Sequence, residues 1–202
     1  HEHCIVSDDV FDLPRLPKSM VVLGAGYIAL EFACIFAQPG TKVTVVYRGQ
    51  EVLRSFDGDV RSHVHQEMEK KGVTFEFGTT IASVEMDGES RKVTLSNNKV
   101  LEADEVLLAI GRKPNTETLG LEAAGVALEW DGRVAVDEYS RTNVPSIYAV
   151  GDVTDRVNLT PVAIHEAMCL IETLYKNNPT IPDHELVATA VFTQPEVGTV
   201  GM

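Results

Sequence analysis

The chain has 202 residues, 44% of them hydrophobic, which is enough to bury the core of one large domain or of one domain with additional pieces. Its 17 basic and 30 acidic residues give a formal charge of -13, so the chain would repel nucleic acids and anionic membrane surfaces. The sequence has neither an apolar run of roughly 18 residues nor a signal-peptide pattern. We therefore expect a cytoplasmic protein that binds neither nucleic acid nor membrane.

The first part of the chain alternates predicted strands and helices. Residues 20–23 and 42–46 have the apolar, β-branched composition of buried strands, and residues 27–37 and 57–71 have helical periodicity. Asp57 is expected to cap the N–H groups of the second helix with its carboxylate. A βαβα order of this kind predicts an α/β fold with a parallel sheet.

The next part is richer in strands, which are separated by the turn pairs Asp87-Gly88 and Asn97-Asn98. A helix is expected after Pro161, reaching Tyr175. The predicted strands cover residues 73–77, 81–86, 92–95, 105–110 and 142–152, and a further strand with an incomplete element covers residues 186–202.

A glycine-rich turn joins the first predicted strand to the first helix in VVLGAGYIALEF, residues 21–32. Gly24 permits the tight turn, Gly26 lets the backbone approach a diphosphate, and the small Ala29 allows the helix to pack closely on the sheet. The diphosphate would then lie at the positive end of the helix dipole. The pattern alone is weak, but its place between a strand and an amphipathic helix predicts a dinucleotide site.

The end of the second strand indicates which dinucleotide is bound. NAD sites usually place an acidic residue there, to accept hydrogen bonds from the ribose 2′-hydroxyl. In TVVYRGQEVLRSFD the strand instead ends at Tyr47 and Arg48, and Arg54 follows in the loop. Guanidinium groups match the oxygens of a 2′-phosphate, so the sequence predicts NADPH. The alternative is that both arginines are ordinary solvated surface residues.

Two further segments place a glycine and a charged residue where we expect strands to end. These are VLLAIGRKPNT, residues 106–116, with Gly111-Arg112, and TNVPSIYAVGD, residues 142–152, with Gly151-Asp152. With LTPVAIHEA, residues 159–167, they make the chain resemble the flavin-dependent pyridine nucleotide-disulfide oxidoreductases, and within that family most of all the glutathione reductases. The resemblance covers nearly all of the chain, and its motifs follow the order of the family.

The resemblance implies a Rossmann-like three-layer nucleotide-binding domain with an antiparallel strand insertion, of the FAD/NAD(P)-binding family. It implies that the NADPH diphosphate contacts the glycine turn and that the 2′-phosphate contacts the two arginines. It also implies that Tyr27 and Ile28 line the flavin and nicotinamide pocket and that Glu31 pairs with a lysine near the flavin. The expected cofactor-binding residues of this part of the chain are thus Gly24, Gly26, Tyr27, Ile28, Ala29, Glu31, Arg48 and Arg54.

For FAD, the resemblance implies that Asp152, next to Gly151, binds a ribityl hydroxyl. Leu159 and Thr160 would place the following helix N-terminus beside the flavin, where a positive helix end stabilises charge on the reduced ring. Gly111 and Arg112 would face the region between nicotinamide and flavin.

The resemblance further implies reduction of a small disulfide with NADPH and FAD, with glutathione disulfide as the expected substrate and lipoamide, trypanothione or mercuric ion as alternatives. The redox dithiol and the His-Glu pair of the family have no counterpart in the sequence, so we expect a fragment without catalytic residues. The whole enzyme is expected to be a homodimer, whereas the fragment could be a monomer. A nucleotide-binding module without turnover is the other interpretation. The expected domains are residues 1–16 (end of a preceding FAD segment), 17–136 (NADPH), 137–183 (second FAD part) and 184–202 (start of an interface domain).

Other titratable residues give weaker signals. Cys34 and Cys169 lie in apolar helical segments and are expected to be buried thiols. No metal site is expected. Glu166 is interpreted as a first-turn acid that compensates the helix dipole, and the role of His165 is left open.

The 202-residue chain is predicted not to reduce glutathione disulfide, because its three cysteines have no spacing that could supply the missing dithiol. NADPH oxidation by the purified chain should not depend on added glutathione disulfide. A disulfide-dependent rate that disappears on substitution of Cys4, Cys34 or Cys169 would contradict this expectation.

Overall fold

The computed structural model describes residues 2–201, which form two compact units. The first comprises residues up to Ile110 together with Ala190–Gly198, and the second comprises Gly111–Thr189 and the residues that follow Gly198. The domain boundaries expected at residues 16, 136 and 183 stay predictions. Among the helices of residues 2–201, none combines the length and apolar character needed to span a bilayer.

The elements of the first unit are β1 Ser19–Leu23, α1 Tyr27–Ala37, β2 Lys42–Tyr47, α2 Gly58–Lys70, β3 Thr74–Phe77, β4 Ile81–Asp87, β5 Ser90–Leu95, β6 Val100–Ala103 and β7 Glu105–Leu108. They form a four-stranded parallel sheet with strand order β3-β2-β1-β7 and an antiparallel sheet with order β4-β5-β6. The predicted βαβα order and the hairpin turns predicted at Asp87-Gly88 and Asn97-Asn98 are therefore confirmed. A short 3-10 helix, Asp9–Asp12, precedes these elements.

Neighbouring residues of β1 face opposite sides of the parallel sheet, as strand geometry requires. Met20 and Val22 belong to a buried cluster with Leu30 of α1 and Met68 of α2. Val21, between them, belongs to a second cluster with residues of the antiparallel sheet, Val93, Leu95 and Ala103. The helices, the parallel sheet and the antiparallel sheet therefore form three layers, which confirms the predicted fold class.

The N-termini of α1 and α2 are satisfied differently. The carboxylate of Asp57 accepts hydrogen bonds from the backbone N–H of Asp59 at 2.9 Å and of Val60 at 3.4 Å, which confirms the predicted cap. At the start of α1, where Gly26 is the capping residue, the described residues provide neither a side-chain cap nor an acidic residue in the first turn. The positive end of α1 is thus left to other partners.

The second unit contains a 3-10 helix, Gly151–Thr154, and the long helix α3, Thr160–Tyr175. The strand predicted for residues 142–152 is wrong, because that segment has only an isolated bridge between Arg141 and Tyr148. The hydroxyl of Thr142 donates to the Ile147 carbonyl oxygen at 2.8 Å and accepts the Val144 N–H at 3.1 Å. This local hydrogen bonding favours a turn over a strand.

Two strands at the end of the described chain, β8 Thr189–Val191 and β9 Val197–Thr199, pair with each other. They confirm the strand expected within residues 186–202. The last residue of that range, Met202, lies outside the described residues. The predicted 105–110 strand ends earlier, at Leu108, and the sequence missed β6 altogether.

Replacing Leu30 by Ala is expected to lower the free energy of unfolding by about 3 to 5 kcal/mol, because Leu30 is fully buried in the first cluster and its truncation leaves a cavity. Ile35 lies on the same helix with 57% of its surface exposed, so Ile35→Ala should cost less than about 1 kcal/mol. Urea unfolding at 25 °C would measure both values. Equal losses in the two variants would contradict the assignment of Leu30 to the core.

Candidate functional site

The glycine turn lies at the carboxyl end of the parallel sheet. Gly24 has φ +125°, and its N–H donates to the Val46 carbonyl oxygen at 2.9 Å. A Cβ at Gly24 would overlap the carbonyl oxygen of Ala109, whereas a Cβ at Gly26 would meet no atom within 4 Å. Ala29 is fully buried. The first glycine therefore makes the turn possible, and the second leaves the backbone accessible at the start of α1.

The loop after β2 returns to this glycine turn. The backbone N–H of Leu53 donates to the carbonyl oxygen of Ala25 at 2.9 Å. Arg48 lies near the start of this loop and Arg54 directly follows Leu53, and both side chains are exposed. Within residues 2–201, neither guanidinium forms an ion pair or a hydrogen bond. The loop that is hydrogen-bonded to the glycine turn thus carries two positive charges that can bind an anion.

The first residues of α1 lie next to the turn. Tyr27 and Ile28 are half-buried, and Glu31 follows one turn later. The Oε1 atom of Glu31 accepts a hydrogen bond from the backbone N–H of Phe192 at 2.9 Å. The sequence could not show this contact, because the two residues are 161 positions apart.

In the second unit, two predicted site residues meet directly. The Arg112 guanidinium lies 3.2 Å from the Asp152 carboxylate, and both side chains are about half exposed. Gly111, before Arg112, has φ +141°, and Gly151, before Asp152, has φ +73°, so both turns use backbone conformations that favour glycine. Leu159 occupies the position directly before α3, and Thr160 is the first residue of this helix.

The helix α3 lacks both a side-chain cap and an acidic residue in its first turn, within the part of the chain that the structure describes. Its N-terminus is therefore similar to that of α1, and differs from the capped N-terminus of α2. A positive helix end of this kind is suited to a negatively charged group.

Glu166 has a role that the sequence did not reveal. Its carboxylate is 1% exposed, accepts the Gly151 N–H at 2.5 Å, and lies 2.7 Å from His184 Nε2 and 3.8 Å from Arg156 Nε. The interpretation of Glu166 as a first-turn acid is wrong, because it lies in the second turn on the buried face of α3. The sequence could have indicated this burial through the spacing of Glu166 from Val162 and Cys169, which lie on the same face of the helix. Glu166 thus holds the turn that carries Asp152.

The cysteines have the character predicted from the sequence. Cys34 and Cys169 are buried free thiols, and desolvation raises the pKa of both. The Cys169 Sγ lies 3.7 Å from Nε2 of His165, which is exposed. Thiols with a raised pKa stay protonated at neutral pH and are poor nucleophiles. They therefore contribute packing rather than redox chemistry.

The model of one protein family, described as pyridine nucleotide-disulphide oxidoreductase, matches residues 2–167. This chain belongs to that family. The resemblance seen in the sequence motifs is therefore confirmed, and the glycine turn and the Gly151-Asp152 turn lie within the matched part of this family member.

Curated relatives of this family member include two kinds of reductase. It is 46% identical over 198 residues to a glutathione reductase of Burkholderia cepacia, a match that covers 98% of this chain and 44% of the relative. It is 42% identical over 205 residues to a trypanothione reductase of Trypanosoma congolense, covering 100% of this chain and 42% of the relative. The chain therefore spans less than half the length of these relatives.

A solved structure with a similar fold is the HOCl-induced flavoprotein disulfide reductase RclA from Escherichia coli. Its TM-score is 0.92 at 28% sequence identity, and the match covers 99% of this chain and 46% of that one. The fold of this family member is thus that of a known flavoprotein disulfide reductase over nearly its whole described length.

Replacing Glu166 by Ala is expected to lower the free energy of unfolding by about 2 to 4 kcal/mol, because it leaves the Gly151 N–H, the Arg156 guanidinium and the His184 ring without the buried carboxylate. Glu166→Gln keeps a carbonyl oxygen for the Gly151 N–H and should cost clearly less. Chemical denaturation compares the two variants. A loss of less than about 0.5 kcal/mol in Glu166→Ala would show that this carboxylate does not hold the turn.

Proposed function

We propose that the first unit binds NADPH, that the second unit supplies part of an FAD site, and that both serve the reduction of a small disulfide. The observation that carries this proposal is the hydrogen bond from Leu53 to Ala25, which ties the arginine loop to the glycine turn. This hydrogen bond supports a diphosphate site and a 2′-phosphate site joined within one unit. This arrangement suits NADPH better than NADH, because NADH has no group for the two guanidiniums.

The residues of the first unit fit a bound NADPH. The backbone at Gly26 can be approached closely, and the first turn of α1, within the described residues, contains no acidic side chain that would repel a diphosphate. Arg48 and Arg54 would hold the 2′-phosphate by charge-assisted hydrogen bonds. Tyr27 and Ile28 would line the nicotinamide region, and Glu31 would lie beside it. When bound, NADPH supplies the hydride for the reaction.

The residues of the second unit fit part of an FAD site. Asp152 would accept a hydrogen bond from a ribityl hydroxyl, in place of or alongside its present contact with Arg112. The N-terminus of α3, at Leu159 and Thr160, would stabilise negative charge on a flavin ring. Gly111 and Arg112, whose guanidinium contacts Asp152, would belong to the same part of the FAD site. FAD, when bound, relays electrons to the substrate disulfide.

For the whole protein we propose glutathione disulfide as the substrate, supported by the glutathione reductases among the relatives. Trypanothione is the second candidate, supported by the trypanothione reductases that match the chain at 42% and 44% identity. Lipoamide and mercuric ion rest on the family resemblance alone. We also propose a cytoplasmic location and, for the whole protein, a homodimer.

The alternative function for the chain taken alone is a nucleotide-binding module without turnover. It is supported by the cysteines of the described residues, which are free and to which we assign no role as a redox dithiol. A flavin absorbance spectrum of the purified protein separates the two functions. Bound FAD would be yellow, whereas a protein that binds NADPH alone would show no flavin bands.

The protein is expected to prefer NADPH over NADH by about 2 to 4 kcal/mol, or about 30- to 1000-fold in Kd, because two exposed guanidiniums contact a phosphate that carries about two negative charges. High salt should reduce this preference by screening. Titration calorimetry with both nucleotides measures it.

Replacing Arg48 and Arg54 together by Ala is the matched variant, and it should bring the two affinities within a few-fold of each other. Equal affinities in the unchanged protein, or an unchanged ratio in the variant, would return both arginines to the role of solvated surface residues.

A further inference from the structure

We propose that His65 is a positioning residue for recognition of the 2′-phosphate, acting through Glu51. This inference rests on the proposed function of the same loop and names a residue outside the glycine turn and the two arginines. Its role is to hold a carboxylate that would otherwise interfere with phosphate binding.

Three consecutive residues between the two arginines are anchored. The Glu51 carboxylate lies 3.1 Å from Nδ1 of His65, the Val52 carbonyl oxygen accepts a hydrogen bond from Arg61 Nε at 2.8 Å, and the Leu53 N–H is bound by Ala25. Arg61 and His65 are four residues apart on α2, so they lie on the same helix face. That face therefore fixes the middle of the loop and leaves its two arginines at the surface.

His65 is itself held firmly. Its ring packs edge-on against Phe75 and Phe77 of β3, with centroid distances of 4.7 Å and 4.9 Å, and its side chain is 19% exposed. Its Nε2 is buried without a hydrogen bond among residues 2–201, and the nearest carboxylate oxygen, of Glu69, is 3.6 Å away. The packing thus directs Nδ1 toward Glu51, and the imidazole has little freedom to turn away.

The position of Glu51 explains why it needs a partner. It lies three residues from Arg48 and three from Arg54, and its side chain is 25% exposed. An unpaired carboxylate at that position would compete with phosphate for the guanidiniums and would repel the phosphate charge. Contact with His65, together with the hydrogen bond from the Val52 N–H at 3.0 Å, keeps the carboxylate on the α2 side of the loop.

This arrangement makes a prediction specific to NADPH. Removing the imidazole should weaken NADPH binding and leave NADH binding unchanged, because only NADPH carries the phosphate that Glu51 would oppose. A purely structural role of His65 would weaken both nucleotides together. The ratio of the two Kd values therefore separates positioning from general stability.

The test measures NADPH and NADH affinity by titration calorimetry, and Tm by thermal unfolding, in three variants of the purified protein. His65→Leu is expected to lower the NADPH preference by about 3- to 10-fold. This is the size expected for one partly screened repulsion, between the released Glu51 carboxylate and the 2′-phosphate. Glu51→Gln alone should change the preference less than about twofold, because the amide keeps an oxygen for its neighbours. The double variant Glu51→Gln/His65→Leu should recover a preference within about twofold of the unchanged protein.

His63→Leu is the matched control, because His63 is exposed on the same helix. It should leave the NADPH preference unchanged. An unchanged preference in His65→Leu, a loss that Glu51→Gln does not reverse, or an equal loss of both nucleotides would each overturn the inference. Absence of NADPH preference in the unchanged protein would instead contradict the proposed function itself, so the two failures are distinguishable.

Discussion

The close contact of Gly24 with the end of β7 is the constraint on which the rest of the first unit depends. Strand β1 pairs with β2 on one side and with β7 on the other, and the chain must leave the sheet between them. Gly24 does this with its N–H donating to the Val46 carbonyl oxygen, at a place where a Cβ would overlap the Ala109 carbonyl oxygen. Any side chain there would force β7 away from β1. The start of α1, and the loop bound to Ala25, take their places from this one turn.

The three helices show how the same backbone chemistry serves two purposes. Each helix begins with N–H groups that lack partners within the helix. Asp57 satisfies them for α2, which lies against the sheet as a structural element. The helices α1 and α3 have no comparable cap among the described residues, and α1 begins three residues after the positive-φ Gly24. The capping pattern alone therefore distinguishes the helix whose N-terminus is satisfied within the protein from the two whose N-termini we assign to cofactors.

Much of the fold could be predicted because its signals are local. The glycine turn, the buried strand before it and the Asp57 cap each depend on residues a few positions apart. The 142–152 strand failed because Thr142 forms hydrogen bonds within its own turn, which apolar alternation does not reveal. Strand β6 was missed because it has four residues and only Asp104 separates it from β7. Glu166 was misread because its partners, at Gly151 and His184, are distant in sequence.

The left-handed conformation of Leu53 has a consequence for how such a protein can change. Its φ is +48°, and its side chain is almost fully buried, so this residue combines a strained backbone with an essential packing role. Arg48 and Arg54 flank it but take no part in that packing. The side chains at positions 48 and 54 can therefore be replaced without disturbing this packing, whereas the side chain of Leu53 cannot. If the two arginines hold the 2′-phosphate as we propose, nucleotide preference can therefore drift in evolution, or be redesigned in the laboratory, without changing the packing of Leu53.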